Sequence, residues 1–176
     1  EGTLALASIG LCFPFVTLIT AFANLFGLGG APLCAMARGK GNREGAQGIM
    51  VNAGFMLLLS GAVLTVLGIA FHRPLLYLFG ASEVTYPYAS SYIVIYLIGT
   101  LCVMLSLGLN PYINCQGFAR TGMLTVALGA AANIVLDPIF IFALHLGVRG
   151  AAIATVLSQF LSAAWVVKFL TSKKAE

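Results

Sequence analysis

Ala132-Asn133-Ile134-Val135-Leu136-Asp137-Pro138-Ile139-Phe140-Ile141 sets the only aspartate of the chain inside an apolar stretch long enough to cross a bilayer. A carboxylate at the centre of a membrane helix costs about 3 kcal/mol on insertion scales, so such a group is expected to face a water-filled cavity or a partner and to mark an ion or substrate path. Asp137 therefore makes transport the first functional expectation.

Working outward from this stretch, 60% of the 176 residues are hydrophobic and 8% are charged, far from the balance of a soluble domain. Runs of about 20 mostly apolar residues recur with short breaks, the length that spans a hydrocarbon core of ~30 Å at 1.5 Å per residue. The fold class expected is all-α, a polytopic transmembrane helix bundle embedded in a lipid bilayer. The net charge of +4 is carried by basic residues lying between or after the apolar runs. They read as topology signals, with no nucleic-acid partner implied. Cys12, Cys34, Cys102 and Cys115 lie in or at the ends of the runs without CxxC spacing and read as small apolar fillers. His72 and His145 are expected at wet helix ends, and no metal site beyond a Na+ at Asp137 is expected.

Apolar periodicity and punctuation predict five helices, about 4–37, 46–71, 86–115, 121–145 and 150–171. The breaks are Arg38 to Glu44, Phe79 to Glu83, Gly117 with Arg120 to Gly122, and Gly147 to Gly150. The first run would be about 50 Å long if straight, so Pro14 and Pro32 are expected to bend it. Gly27, Gly29 and Gly30 read as a packing face in preference to a hinge, since small residues let helices approach closely in lipid. Arg38, Lys40, Arg43, Arg120, Lys168, Lys173 and Lys174 fall on one side of the membrane and only Arg73 and Arg149 on the other. That bias puts the C-terminus in the cytoplasm. The N-terminus then faces outward, and a chain starting at Glu1 with no signal peptide implies an earlier helix before it.

Asn133 and Asp137 are four apart and stack on one helix face, where they can share a cation or a proton. Pro138 cannot bond the Ile134 carbonyl, which leaves a further acceptor one turn away. Oxygen ligands of this kind suit Na+, and a carboxyl out of water also suits H+. The alternative is that Asp137 only caps a broken half-helix, with Pro138 at its first position. Asp137 is expected ~14 Å below the outer end of its helix and Thr155 ~8 Å below the outer end of the next, so the two can meet. Tyr92 sits near the outer end of its helix and Asn110 about 27 Å further in, so both cannot touch one ion. Asn110 either polarises the inner part of a cavity or bonds across helices.

Three stretches resemble the N-terminal lobe of the MATE family, the multidrug and toxic compound extrusion transporters: Gly29 to Asn42, Gly129 to Ile141 and Leu146 to Gln159. The resemblance covers nearly all of residues 1–176 and implies helices two to six of a twelve-helix transporter. The first helix and the second six-helix lobe would be missing partners. It implies cation-coupled antiport, with Na+ or H+, of organic cations or amphipathic drugs across the plasma or inner membrane, without a cofactor. The family's cation site combines an Asp on helix one with an Asn and an Asp on helix five and a Thr on helix six. Asn133, Asp137 and Thr155 match the last three, while Tyr92 and Asn110 resemble cavity residues. A partial lobe lacking helix one is expected to be inactive alone.

Other functions fit less well. A lipid-linked oligosaccharide flippase of the same superfamily would be expected to line its cavity with cations for a pyrophosphate, and none lies mid-helix. An intramembrane aspartyl protease needs two facing carboxylates, and no HExxH is present, so no enzyme is expected. A passive structural bundle is opposed only by the cost of Asp137.

Overall fold

In the computed structural model, which describes residues 2–175, every regular element is helical. α1 (Gly2–Gly10) and α2 (Phe13–Gly39) replace the single first helix expected over 4–37. The break falls at Leu11 and Cys12 because Pro14, in the first turn of α2, has no N–H for the Gly10 carbonyl and its ring presses against that group. Pro32 lies inside α2 without ending it.

α3 (Arg43–Leu78) begins three residues earlier and ends seven later than expected. Its start is set by Asn42, whose side chain accepts a hydrogen bond from the Gly45 N–H at 2.8 Å, and it runs on through Pro74. At 36 residues it extends about 54 Å, well beyond a hydrocarbon core. His72 consequently lies within α3, not at its end, with its Nδ1 2.6 Å from the Ile69 carbonyl oxygen.

The helix expected over 86–115 is two, α4 (Tyr86–Ile98) and α5 (Thr100–Cys115), bent by 56° at Gly99. Gly99 is a weak helix former, and a Cβ there would lie 2.6 Å from Val156, so the turn opens where a neighbouring helix presses in. α6 (Ala119–Pro138) continues into a π-helical turn (Ile139–Ala143), and α7 (Val148–Leu170) completes the bundle before a short turn at Lys173–Ala175. α2, α3, α6 with its π turn, and α7 are each long and apolar enough to cross a membrane, and α4 with α5 is so only when the bent pair is taken as one segment.

α5 sits at the centre, packed by α2, α3, α6 and α7. Its buried residues, Val103, Met104, Leu109, Tyr112 and Ile113 among them, join those of α2, α3 and α4 in one core, whereas α6 buries only Gly122 and Thr125. The expected glycine face of α2 is real but selective. A Cβ on Gly27 would lie 2.7 Å from the Gly108 carbonyl oxygen of α5, and one on Gly30 would collide with the Tyr112 hydroxyl, while Gly29 faces open space. That hydroxyl donates to the Phe26 carbonyl at 2.7 Å and ties the two helices together. All four cysteines are free, and the Cys12 and Cys34 thiols are buried against the Ala89 and Ala46 carbonyls.

Gly27→Leu in the full-length protein should force α2 off α5 and lower the thermal midpoint in detergent, at an overpacking cost of about 1–3 kcal/mol. Gly29→Leu, with the same gain in helix propensity, should leave the midpoint near wild type.

Candidate functional site

α6 presents Asn133 and Asp137 on one face, one turn apart. The Asn133 amide donates to Asp137 Oδ1 at 3.3 Å, and both side chains are half-buried. Ile134 and Val135 between them are 72% and 60% exposed, so the polar pair occupies the inward side of a helix whose outer side is apolar.

Contacts at both ends of this face hold it against α7. Ser162 Oγ of α7 donates to the Thr125 carbonyl of α6 at 3.2 Å, and a Cβ on Gly129 would stand 3.7 Å from Ser162 Cβ. Beyond Asp137, a Cβ on Gly150 would lie 2.6 Å from the Phe140 carbonyl oxygen, so α7 starts directly against the π turn.

Asp137 does not cap a new helix. Pro138 has helical dihedrals, φ −60° and ψ −37°, and the chain passes through it into the π turn with no side-chain cap. In that turn the Leu144 N–H reaches back to the Ile139 carbonyl at 3.0 Å and the Leu146 N–H to the Phe140 carbonyl at 3.2 Å. The widened turn directly after a proline is where an interrupted hydrogen-bond ladder resets its register. The carboxyl itself turns back along α6 to Asn133.

The helix ends bring Thr155 and Asp137 to a common depth. Asp137 is six residues before Ala143 and Thr155 seven after Val148, about 9 and 10 Å from their helix ends. The unequal depths expected from the sequence disappear because the tract from α6 ends two residues sooner and α7 begins two residues sooner. The Thr155 hydroxyl donates to the Ala151 carbonyl at 3.0 Å, which leaves its lone pairs to accept or to ligate. Tyr92, six residues into α4, is half-buried in the neighbourhood of Thr155 and Asp137. Its ring stacks on Tyr96 with centroids 6.2 Å apart.

Asn110 does not join this group. Its Oδ1 is buried without a hydrogen-bond partner, and it faces Gly122 in the first turn of α6, where a Cβ would be 3.3 Å from that oxygen. Gly122 and Asp137 are fifteen residues apart on one helix, about 22 Å. Sequence reasoning passed over Gly129, Gly150 and Ser162, which seat α6 on α7. The small-residue spacing Ser158, Ser162 on one helix facing Gly129 on the next is the signal that carried them.

A family model described as MatE matches residues 2–139. The chain belongs to the MatE family. It is 33% identical over 166 residues to the FAD transporter of Shewanella oneidensis, covering 92% of this chain and 36% of that protein. It is 28% identical over 168 residues to the multidrug export protein MepA of Staphylococcus haemolyticus, covering 96% of this chain and 37% of that protein. A crystal structure of MATE in the bent conformation superposes with a TM-score of 0.93 at 32% identity, over 98% of this chain and 39% of the other. The outward-facing conformation of a multidrug resistance MATE family transporter gives 0.91 at 32% identity, over 96% and 38%. The expected all-α MATE-type bundle is therefore found, and the chain spans under two fifths of the length of these relatives.

The α6–α7 seat of this MatE chain is open to a direct check. A disulfide needs Cβ atoms about 3.5–4.5 Å apart, and residues 129 and 162 provide 3.7 Å. Gly129→Cys combined with Ser162→Cys, in the full-length protein with its native cysteines replaced, should cross-link under mild oxidant. A peptide disulfide between the two positions by mass spectrometry is the expected result.

Proposed function

We propose that the whole protein carrying this chain is a secondary active exporter of the cell membrane. Na+ or H+ entering at Asp137, Asn133 and Thr155 would drive extrusion of organic cations or amphipathic drugs. The observation that carries this reading is the half-buried Asn133–Asp137 pair on the inward side of an apolar helix, at the depth of the free lone pairs of Thr155. A carboxylate oxygen, an amide oxygen and a hydroxyl are hard ligands suited to Na+, and the carboxyl alone is enough for H+. Tyr92 would lie between this site and the cargo cavity, with Asn110 polarising its inner part.

The likeness to MepA supports drug cargo. The likeness to a FAD transporter favours a second cargo, an anionic flavin dinucleotide. Orientation follows the positive-inside rule, with the ends carrying Arg38, Arg43, Arg120 and Lys173 in the cytoplasm. On this reading the chain works with a further helix and a second lobe, and it catalyses no covalent chemistry.

The test is efflux of a fluorescent organic cation, and separately of FAD, from cells expressing the full-length protein, with Na+ and pH gradients imposed one at a time. Asp137→Asn should abolish gradient-driven efflux, and the gradient required by wild type names the ion. Undiminished efflux in the mutant would sink the coupling role of Asp137.

A further inference from the structure

At the end of the bundle remote from Asp137, a cleft of about 650 Å³ opens between the ends of α2, α3 and α5 and the segment after α7. Arg38, Arg43 and Lys173 bring three cations to it from three different parts of the chain, and no carboxylate lines it among the described residues. Glu44, in the same turn as Arg43, is exposed and outside the lining. Converging cations repel one another, and the first turn of α3 adds the positive end of a helix dipole, so among the described residues the positive charge of the cleft has no anion to balance it.

A second deficiency sits in the same wall. Gln116 Oε1 is buried with no hydrogen-bond partner, while its Nε2 has only the thioether sulfur of Met50 at 3.8 Å. The oxygen lacks a donor, which lysine and arginine at the rim do not supply to it.

The third observation is the apolar flank. Val51 lines the cleft and is 59% exposed, and along the same strip of α3 follow Phe55 at 64% and Leu58 at 45%. Spacings of four and three keep these side chains on one face, leading from the charged end into the depth of the membrane. A ligand matching all three features has a phosphate, a hydroxyl beside it and a long apolar tail.

We propose that this cleft binds an anionic phospholipid, its phosphate held by Arg38, Arg43 and Lys173, its headgroup hydroxyl donating to Gln116, and an acyl chain lying along α3 over Val51, Phe55 and Leu58. Guanidinium groups suit this task because their fork of N–H donors matches phosphate oxygens. Basic pockets between transmembrane helices are recurrent lipid-headgroup sites. The inference does not depend on the exporter reading, since binding is measured without transport.

The experiment titrates the purified full-length protein, in phosphatidylcholine mixed micelles, with phosphatidylglycerol, with more phosphatidylcholine, or with inorganic phosphate, and reads the thermal midpoint. Two variants are compared with wild type. Arg38→Gln/Arg43→Gln/Lys173→Gln empties the cleft of charge, and Lys40→Gln/Arg120→Gln/Lys168→Gln removes the same charge from exposed positions outside it. Phosphatidylglycerol should raise the midpoint of wild type, its apparent affinity should fall about tenfold or more in the cleft variant, and the control variant should keep its response. Equal losses in both variants would reduce the effect to diffuse surface charge and overturn the site. No preference for phosphatidylglycerol over phosphatidylcholine would overturn it as well. Inorganic phosphate matching the lipid at equal concentration would assign the cleft to a soluble phosphate and overturn the lipid.

Discussion

Apolar helices in lipid gain nothing by hiding from the solvent, so a bundle of them is held by close backbone approach and by hydrogen bonds between helices. In this chain the constraint falls on α5. Gly27 lets α2 meet the α5 backbone at Gly108 with no side chain between them, Gly108 in turn makes room for Leu57 of α3, and the Tyr112 hydroxyl closes the contact on the Phe26 carbonyl. On its other sides α5 is packed by α3 and α7, and Thr65 of α3 donates to the Leu97 carbonyl just before the bend at Gly99. Once α5 is fixed, the bend of 56° aims α4 separately, so that Tyr92 arrives beside α7.

The same economy of small residues governs the other half of the bundle. α6 buries little of itself, and it is kept in place by Gly129 against Ser162 and by the π turn against Gly150. These two contacts bracket Asn133 and Asp137. The polar group thus has a fixed rotation and a fixed depth on a helix that is otherwise largely exposed. A carboxyl positioned in this way can bind and release an ion without rearrangement of its own helix, which is what the proposed coupling requires. The opposite end has different physics: cations gather there from α2, α3 and the segment after α7, with no acidic counterpart in the lining among the described residues.

Much of this was legible in the sequence. Five apolar runs correspond to four membrane-length helices and the bent pair α4–α5, and the interval of four between Asn133 and Asp137 gave their shared face, because helical geometry alone sets it. What was not legible depended on tertiary neighbours. Pro14 breaks a helix and Pro32 does not, although the two look alike as letters; Cys12 beside Pro14 is anchored to the Ala89 carbonyl of α4. Gly99 carries no proline to announce a bend, and the bend follows from Val156 pressing in. The early start of α3 lay in the Asn42 cap, and its late end in the tolerance of one missing hydrogen bond at Pro74. Asp-Pro favoured two readings in the sequence, and the hydrogen bond from Asn133 to Asp137 separates them.

In the proposed mechanism Asp137 binds the ion whose movement drives transport. Its most direct test is equilibrium binding of radioactive Na+ by the purified full-length protein, with proton release followed in parallel, for wild type and Asp137→Asn. Wild type should bind Na+ saturably or exchange a proton, and the mutant should lose that signal while keeping its thermal midpoint. Identical Na+ binding and identical proton exchange in the two proteins would contradict it.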